Sequence, residues 1–355
     1  MRLLLINYEL DENSGVLAWQ ADVVRALAKR CQYILILTQK QGVFSAPPNV
    51  DVLPVPVRPF GIPQRFGGRW LMNWEVARLC RLHKIQACFV HMAADWVFIL
   101  APVLKAMRIP ILMWYAHGTV TARLKFAHTM TERVVTSTPD GFRLPSKKLT
   151  VIGQGVNTAL FDIPVPDDRR NQILYIGRVS PRKRVDLLVD VMAAIREKEA
   201  QPSLMLQIIG PVLTKDDERY LDSIHDQIDR LGLQERVIIA GFVPQNAIPG
   251  YYSNAGLHIN VSNTGSMDKT VVEALSCGCP VLTSNEAFRD LLKPYPEFIL
   301  ETDRPEEIAF HALAILQNLD AYSPIALRNL VLGRHDIESY ADKIIQQLIE
   351  ITHGA

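Results

Sequence analysis

Lys269-Thr-Val-Val-Glu273-Ala-Leu-Ser-Cys-Gly278-Cys-Pro280-Val-Leu-Thr283 is the stretch on which the reading of this chain turns. Apolar residues at helical spacing carry a single acid, Gly278 and Pro280 stop the helix, and a short apolar strand follows. A carboxylate in such company is costly if it lies dry and unpaired, so Glu273 either reaches solvent or serves a bound partner. Upstream, Ile173-Leu-Tyr-Ile-Gly177-Arg178-Val-Ser-Pro-Arg182-Lys183-Arg184-Val-Asp-Leu-Leu188 runs from an apolar strand through a glycine and a loop with four cations into an amphipathic helix. Strand, glycine, basic loop and helix start together make a place for a phosphate group.

Composition bounds the rest. The 355 residues suit about two domains. A hydrophobic content of 48% supports large cores, and a formal charge of +1 gives no global field for nucleic acid. The cysteines at 31, 80, 88, 277 and 279 show neither a disulfide spacing nor a metal-ligand pair, so a reducing, cytoplasmic setting is expected. The opening Met-Arg-Leu-Leu-Leu-Ile is cut short as a signal by Asn7, Glu9, Asp11 and Glu12. The apolar stretch 87–116 contains His91, Asp95, Lys105 and Arg108. Each charge at a bilayer centre costs about 2.5–3.5 kcal/mol, so a strand, a helix and a second strand explain it better than a membrane span.

The pattern is α/β throughout. Strands are expected at 3–7, 34–38, 50–57, 87–91, 110–115 and 132–137, and helices from Ser14-Gly15 onward and at 70–84, 95–107 and 121–129. Leu3 to Asn7 is a continuous apolar run, as a strand covered on both faces requires. Prolines at 54 and 56 place the third strand on an edge. After a polar, proline-bearing break at 162–171 the alternation restarts, with strands at 172–177, 204–210, 236–240, 256–261 and 280–284 and helices between them. Two doubly wound, Rossmann-like domains are therefore expected, 1–165 and 166–335, facing a central cleft, followed by a C-terminal helix over 336–355. That helix shows Ile337, Tyr340, Ala341, Ile344, Ile345 and Leu348 on one face, so it must dock on a core, here expected to be that of the first domain.

With these segments placed, the chain resembles the family-4 nucleotide-sugar glycosyltransferases of the GT-B fold. Asn13-Ser14-Gly15-Val16 is similar to that family's small-residue donor-side loop, and Tyr115-Ala-His117-Gly118 to its amino-domain histidine. Val151 to Phe161 resembles its interdomain signature. Gly177-Arg178 with Lys183 is similar to the pair that holds the donor diphosphate, and Gly241-Phe242-Val243-Pro244 to the loop against the base. The block from Glu273 resembles the terminal one whose glutamate binds ribose hydroxyls, and Lys269 and Thr270 would add backbone N–H groups at the helix start. One departure stands out: a second glutamate, usual eight residues earlier, is here Gly265, with Asp268 the nearest substitute.

The resemblance implies transfer of a sugar from a nucleoside diphosphate to a glycan, lipid-linked or small-molecule acceptor with retained configuration. Arg178 and Lys183 would stabilise the departing diphosphate and His117 would meet the donor sugar, with no metal or other cofactor. Gly15 would allow close backbone approach. His91 and Asp95 are left between structural and acceptor-side roles. Basic residues over 121–148, with Arg58, Arg65, Arg69 and Trp70, suit either solvated charge or peripheral attachment at the inner face of the cell membrane. The alternatives are a GT-B-fold epimerase or phosphorylase, or a non-catalytic nucleotide-sugar-binding protein, the last suggested by Gly265 alone.

Overall fold

The computed structural model describes residues 1–55, 66–117, 119–166, 171–198, 203–262 and 266–354, with the side chains of its second helix described from residue 72. The chain forms two compact units: Met1–Gly155 with Ile337–Ala355, and Val156–Asp336. No helix among the described residues is long and apolar enough to cross a membrane.

The first unit is built on β1 (Arg2–Leu10), β2 (Tyr33–Gln41), β3 (Val50–Pro54), β4 (Ala87–His91), β5 (Ile111–Trp114), β6 (Arg133–Thr136) and β7 (Leu149–Val151). All pair in parallel in the order β3-β2-β1-β4-β5-β6-β7, so the proline-bearing β3 lies at an edge, where its missing donor costs nothing. Leu3 to Ile6 are essentially inaccessible because both sheet faces are covered. Alternate residues of β1 point into two cores, Leu3 and Leu5 into one and Leu4 and Ile6 into the other.

Helix α1 (Trp19–Ala28) and the C-terminal helix α11 (Ile337–His353) cover the first of these faces. The apolar stripe of α11 docks through Ile337, Tyr340, Ala341, Ile344 and Leu348, and Arg30, two residues past the end of α1, pairs with Glu338 and Asp342 along its flank. The C-terminal helix thus belongs to the first unit. The sequence places the start of α1 at Ser14-Gly15, whereas residues 15–18 form a turn and the helix begins at Trp19. The Ser14 hydroxyl accepts from the Leu17 amide at 3.0 Å, satisfying the turn before the helix can.

The second unit holds β8 (Gln172–Ile176), β9 (Met205–Ile209), β10 (Val237–Gly241), β11 (Leu257–Asn260) and β12 (Val281–Thr283), all parallel in the order β10-β9-β8-β11-β12. Its helices include α5 (Val185–Glu197), α6 (Lys215–Leu231), α7 (Ile248–Asn254), α8 (Lys269–Ser276) and α9 (Pro305–Gln317). The chain changes unit at Gly155/Val156, ahead of the polar break near 165. Val156 and Phe161 pack in the second core, and Arg328 donates to the carbonyls of Phe161 at 3.1 Å and Thr158 at 2.8 Å.

Helix α8 ends as its glycine foretells. The Cys279 amide reaches the Ala274 carbonyl at 2.9 Å and the Gly278 amide reaches that of Leu275 at 3.0 Å, with Gly278 at φ +68°. A Cβ at Gly278 would also lie 2.5 Å from Cβ and 2.7 Å from Cα of Pro324. Gly278→Ala should therefore lower the unfolding free energy by about 1–3 kcal/mol, the usual cost of a side chain held in left-handed backbone. Denaturant unfolding of both proteins checks this; equal midpoints would show that the turn relaxes freely.

Candidate functional site

In the second sheet the connections leave in opposite directions between β8 and β11, the switch point at which open α/β sheets bind ligands. The loops leaving β8, β9 and β10 stay bonded beyond the strands. The Gly177 amide reaches the Ile209 carbonyl at 2.9 Å, Val179 reaches Pro211 at 3.1 Å, and Gly210 reaches Gly241 at 2.8 Å. A Cβ on Gly210 would stand 1.8 Å from the Gly177 oxygen, so only glycine lets these backbones come this close. The buried Tyr175 hydroxyl donates to the Arg178 carbonyl at 3.1 Å, which fixes the start of the basic loop.

Both cations named by the sequence open onto this edge, each already paired with an acid. Arg178 donates through Nε to Asp217 Oδ2 at 2.7 Å and places Nη2 2.6 Å from the same oxygen. Asp217 stands in the first turn of α6 and completes a capping box with Thr214. Burial pushes its carboxyl up, but the Arg178 guanidinium, the Leu213 amide and Thr214 outweigh that and hold it below the usual carboxylate range. Lys183 donates to Asp268 Oδ1 at 2.8 Å and to Ser262 Oγ at 3.3 Å. Asn260, at the end of β11, donates to Asp268 Oδ2 at 3.1 Å and takes a hydrogen bond from Thr283 at 3.2 Å. Arg184 lies apart from this group, paired with Asp303 at 2.7 Å.

Asp268 directly precedes α8, so the helix start carrying Lys269 and Thr270 stands beside the Lys183 pair. One turn on, the half-buried Glu273 accepts from the Tyr252 hydroxyl at 3.3 Å. Burial pushes its carboxyl up to about 7, partly offset by the positive charge of Lys269 and the Tyr252 hydrogen bond. Glu273 is therefore neither open to water nor fully compensated by protein. Phe242 is 46% exposed just past β10, while its neighbour Val243 packs on the core. Gly265, where the sequence departs from the family it resembles, lies outside the described residues.

In the first unit, Gly15 is exposed on the turn before α1, and Ser14 donates to Glu9 Oε2 at 3.0 Å. His117 is exposed just past β5, its ring centroid 6.3 Å from that of Tyr115, and Gly118 lies outside the described residues. His91 is buried, ringed by Trp19, Phe89 and Trp114, with Nε2 3.4 Å from the Tyr340 hydroxyl. Asp95 is exposed and reaches Arg123 at 3.5 Å. Arg58, Arg65 and the side chains of Arg69 and Trp70 lie outside the described residues. Among the described residues no three His, Cys, Asp or Glu side chains gather as metal ligands, and all five cysteines are buried free thiols.

Asp217, Tyr252, Asn260 and Ser262 were not singled out by the sequence. A Thr-x-x-Asp spacing at 214–217 marks the capping box before α6, but nothing in it shows that Arg178 returns to that box.

Two Rossmann-like units with parallel sheets define the GT-B fold. Residues 156–323 match the family described as Glycosyl transferases group 1. Solved structures confirm the fold over nearly the whole length. HepE from Anabaena, determined in complex with UDP, aligns with a TM-score of 0.77 at 18% identity, covering 99% of this chain and 100% of that one. A glycosyltransferase from Rickettsia africae aligns with a TM-score of 0.79 at 15% identity, over 100% and 99% of the two chains. A curated relative, mannosylfructose-phosphate synthase of Agrobacterium fabrum, is 25% identical over 171 residues, which span 43% of this chain and 37% of that protein.

A carboxyl raised by burial binds its proton more tightly in the folded than in the unfolded chain. Its contribution to stability therefore falls as pH rises from its ordinary value of 4.5 through about 7. The wild type should lose stability relative to Glu273→Gln between about pH 5 and pH 8, as read from unfolding curves of both proteins. Parallel pH profiles would mean that Glu273 is solvated.

Proposed function

We propose that this protein is a glycosyltransferase that moves a sugar from a nucleoside-diphosphate donor to a glycan, lipid-linked or small-molecule acceptor with retained configuration. The observation that carries the reading is the meeting of Arg178, Lys183 and the start of α8 at the switch point between β8 and β11. The guanidinium and ammonium are the charges a departing diphosphate needs, held where the backbone N–H groups of Lys269 and Thr270 can add to them. Glu273, half-buried and capable of accepting, suits a pair of ribose hydroxyls. Gly177, Phe242 and Val243 border the same edge, for the diphosphate and the base.

Gly15 and His117 of the first unit are assigned to the donor sugar. The UDP bound in the HepE structure, and the GDP-mannose dependence in the name of a mycobacterial relative, support a nucleotide-sugar donor without choosing the base. Metal independence is part of the reading, since two cations and a helix start supply the charge. A cytoplasmic protein bound peripherally to a membrane is also proposed. The exposed Phe98 and Phe126, stacked edge to face at 5.0 Å, support it, with Arg123 and Lys125 beside Phe126 in sequence.

Thermal shifts with UDP, GDP, ADP and dTDP, in the presence of chelator, test the donor site. A ligand at a hundred times its dissociation constant adds about 2.7 kcal/mol of stability. One nucleotide should shift the wild type, and Arg178→Ala should weaken its binding about tenfold to a hundredfold, as loss of a hydrogen bond to a charged group does. No shift with any of the four would sink the reading.

Asp268, the nearest substitute for the glutamate missing at 265, is assigned to the donor-sugar hydroxyls as well, and Asp268→Asn separates that role from holding Lys183. It leaves an amide beside Asn260 and frees Lys183 of a counter-charge. Nucleoside-diphosphate affinity should hold or tighten by up to about tenfold, about 1.4 kcal/mol. Sugar transfer should fall by at least about tenfold. Unchanged transfer would remove Asp268 from the donor-sugar site.

A further inference from the structure

We infer that Asp217 is the positioning residue for Arg178, presenting one edge of the guanidinium to the diphosphate; the inference rests on the donor-site reading above. Asp217 Oδ2 takes Arg178 Nε at 2.7 Å and lies 2.6 Å from Nη2. The same oxygen accepts from the amides of Leu213 at 3.2 Å and Thr214 at 3.1 Å. Its side chain is 3% exposed while that of Arg178 is 39% exposed, so the acid is part of the fold and the arginine leans out from it. Nη2 also reaches Thr214 Oγ1 at 3.4 Å. Nη1 makes no hydrogen bond among the described residues, which leaves that edge as the donor set for a ligand.

The anchor is rigid for a local reason. Asp217 is the third residue of α6, and its carboxylate satisfies amide groups at the helix start that no helical carbonyl can reach. Turning the carboxylate away would orphan those amides, so the plane it imposes on Arg178 is fixed before any ligand arrives. An arginine on a flexible loop must otherwise lose its rotamer freedom on binding. The backbone end of Arg178 is held as well, through the Tyr175 hydroxyl at 3.1 Å.

Electrostatics and positioning predict opposite signs, which makes the idea testable. By Coulomb's law alone, removing a carboxylate near a phosphate site tightens phosphate binding. Positioning predicts weaker binding, and only while Arg178 is present.

The experiment is a double-mutant cycle of Asp217→Ala and Arg178→Ala, read as the calorimetric affinity for whichever of UDP, GDP, ADP or dTDP binds the wild type. Asp217→Ala should weaken binding about tenfold, and should change it less than about twofold in the Arg178→Ala background. Asp217→Asn, which keeps an oxygen for the helix cap, guards against misfolding and should show a smaller loss of the same sign. Unchanged or tighter binding in both Asp217 variants overturns the inference, as does an undiminished loss without Arg178. Where the wild type binds and Arg178→Ala weakens it, such a result leaves the donor-site reading standing. Absence of binding by the wild type to all four removes both.

Discussion

Parallel strands deliver all their carboxyl ends to one edge of a sheet, and at a switch point neighbouring strands send their chains to opposite faces. The divergence of the chains leaving β8 and β11, which pair side by side, is the constraint from which the rest of the candidate site follows. Beyond the strands, Gly177 and Gly210 continue the pairing at a separation no side chain would permit. Arg178 therefore starts from a backbone fixed on one side by the sheet and on the other by Tyr175. Lys183 follows one short turn later and reaches across to Ser262 and Asp268, beyond the end of β11.

Charge is handled with equal economy. Each of the two cations has one acid, and each acid has further donors, the amides before α6 for Asp217 and Asn260 for Asp268. A partly buried cation without a partner would be strongly unfavourable, and one fully satisfied would have nothing left for an anion. Pairing through part of the donor set resolves the conflict, because guanidinium and ammonium each carry more N–H groups than one carboxylate takes. Glu273 is the opposite case: burial raises its proton affinity, and the Tyr252 hydroxyl and the charge of Lys269 only partly offset this. Residual strain of that kind is expected where a fold keeps a polar group for a ligand.

Much of this was legible beforehand. The two periods of the apolar pattern gave the alternating strands and helices, the edge position of the proline-bearing strand and the docking face of the C-terminal helix. Gly278 marked the end of α8, and the glycine and cations between β8 and α5 marked the loop that carries Arg178 and Lys183. Two kinds of element escaped: β7 has only three residues, too few for a period to register, and α9, though a full-length helix, lies past the last stretch assigned a pattern. The start of α1 was displaced by four residues because the Ser14 hydroxyl stabilises a turn that looks, in sequence, like a helix cap. The unit boundary fell earlier than the polar break because Val156 and Phe161 are drawn into the second core.

Periodicity, glycine placement and local charge are properties of neighbouring residues, so the chain by itself determined the strands, the helices and which loops carry cations. Partner choice between distant residues is decided by packing, and no local rule reports it. That Arg178 turns back to Asp217, that Lys183 crosses to Asp268, and that Asn260 braces the latter are facts of the folded sheet edge. The sequence supplied the charges; only the tertiary structure decided which of them are held still and which N–H groups stay open, because that depends on burial and on backbone groups the sequence brings from tens of residues away.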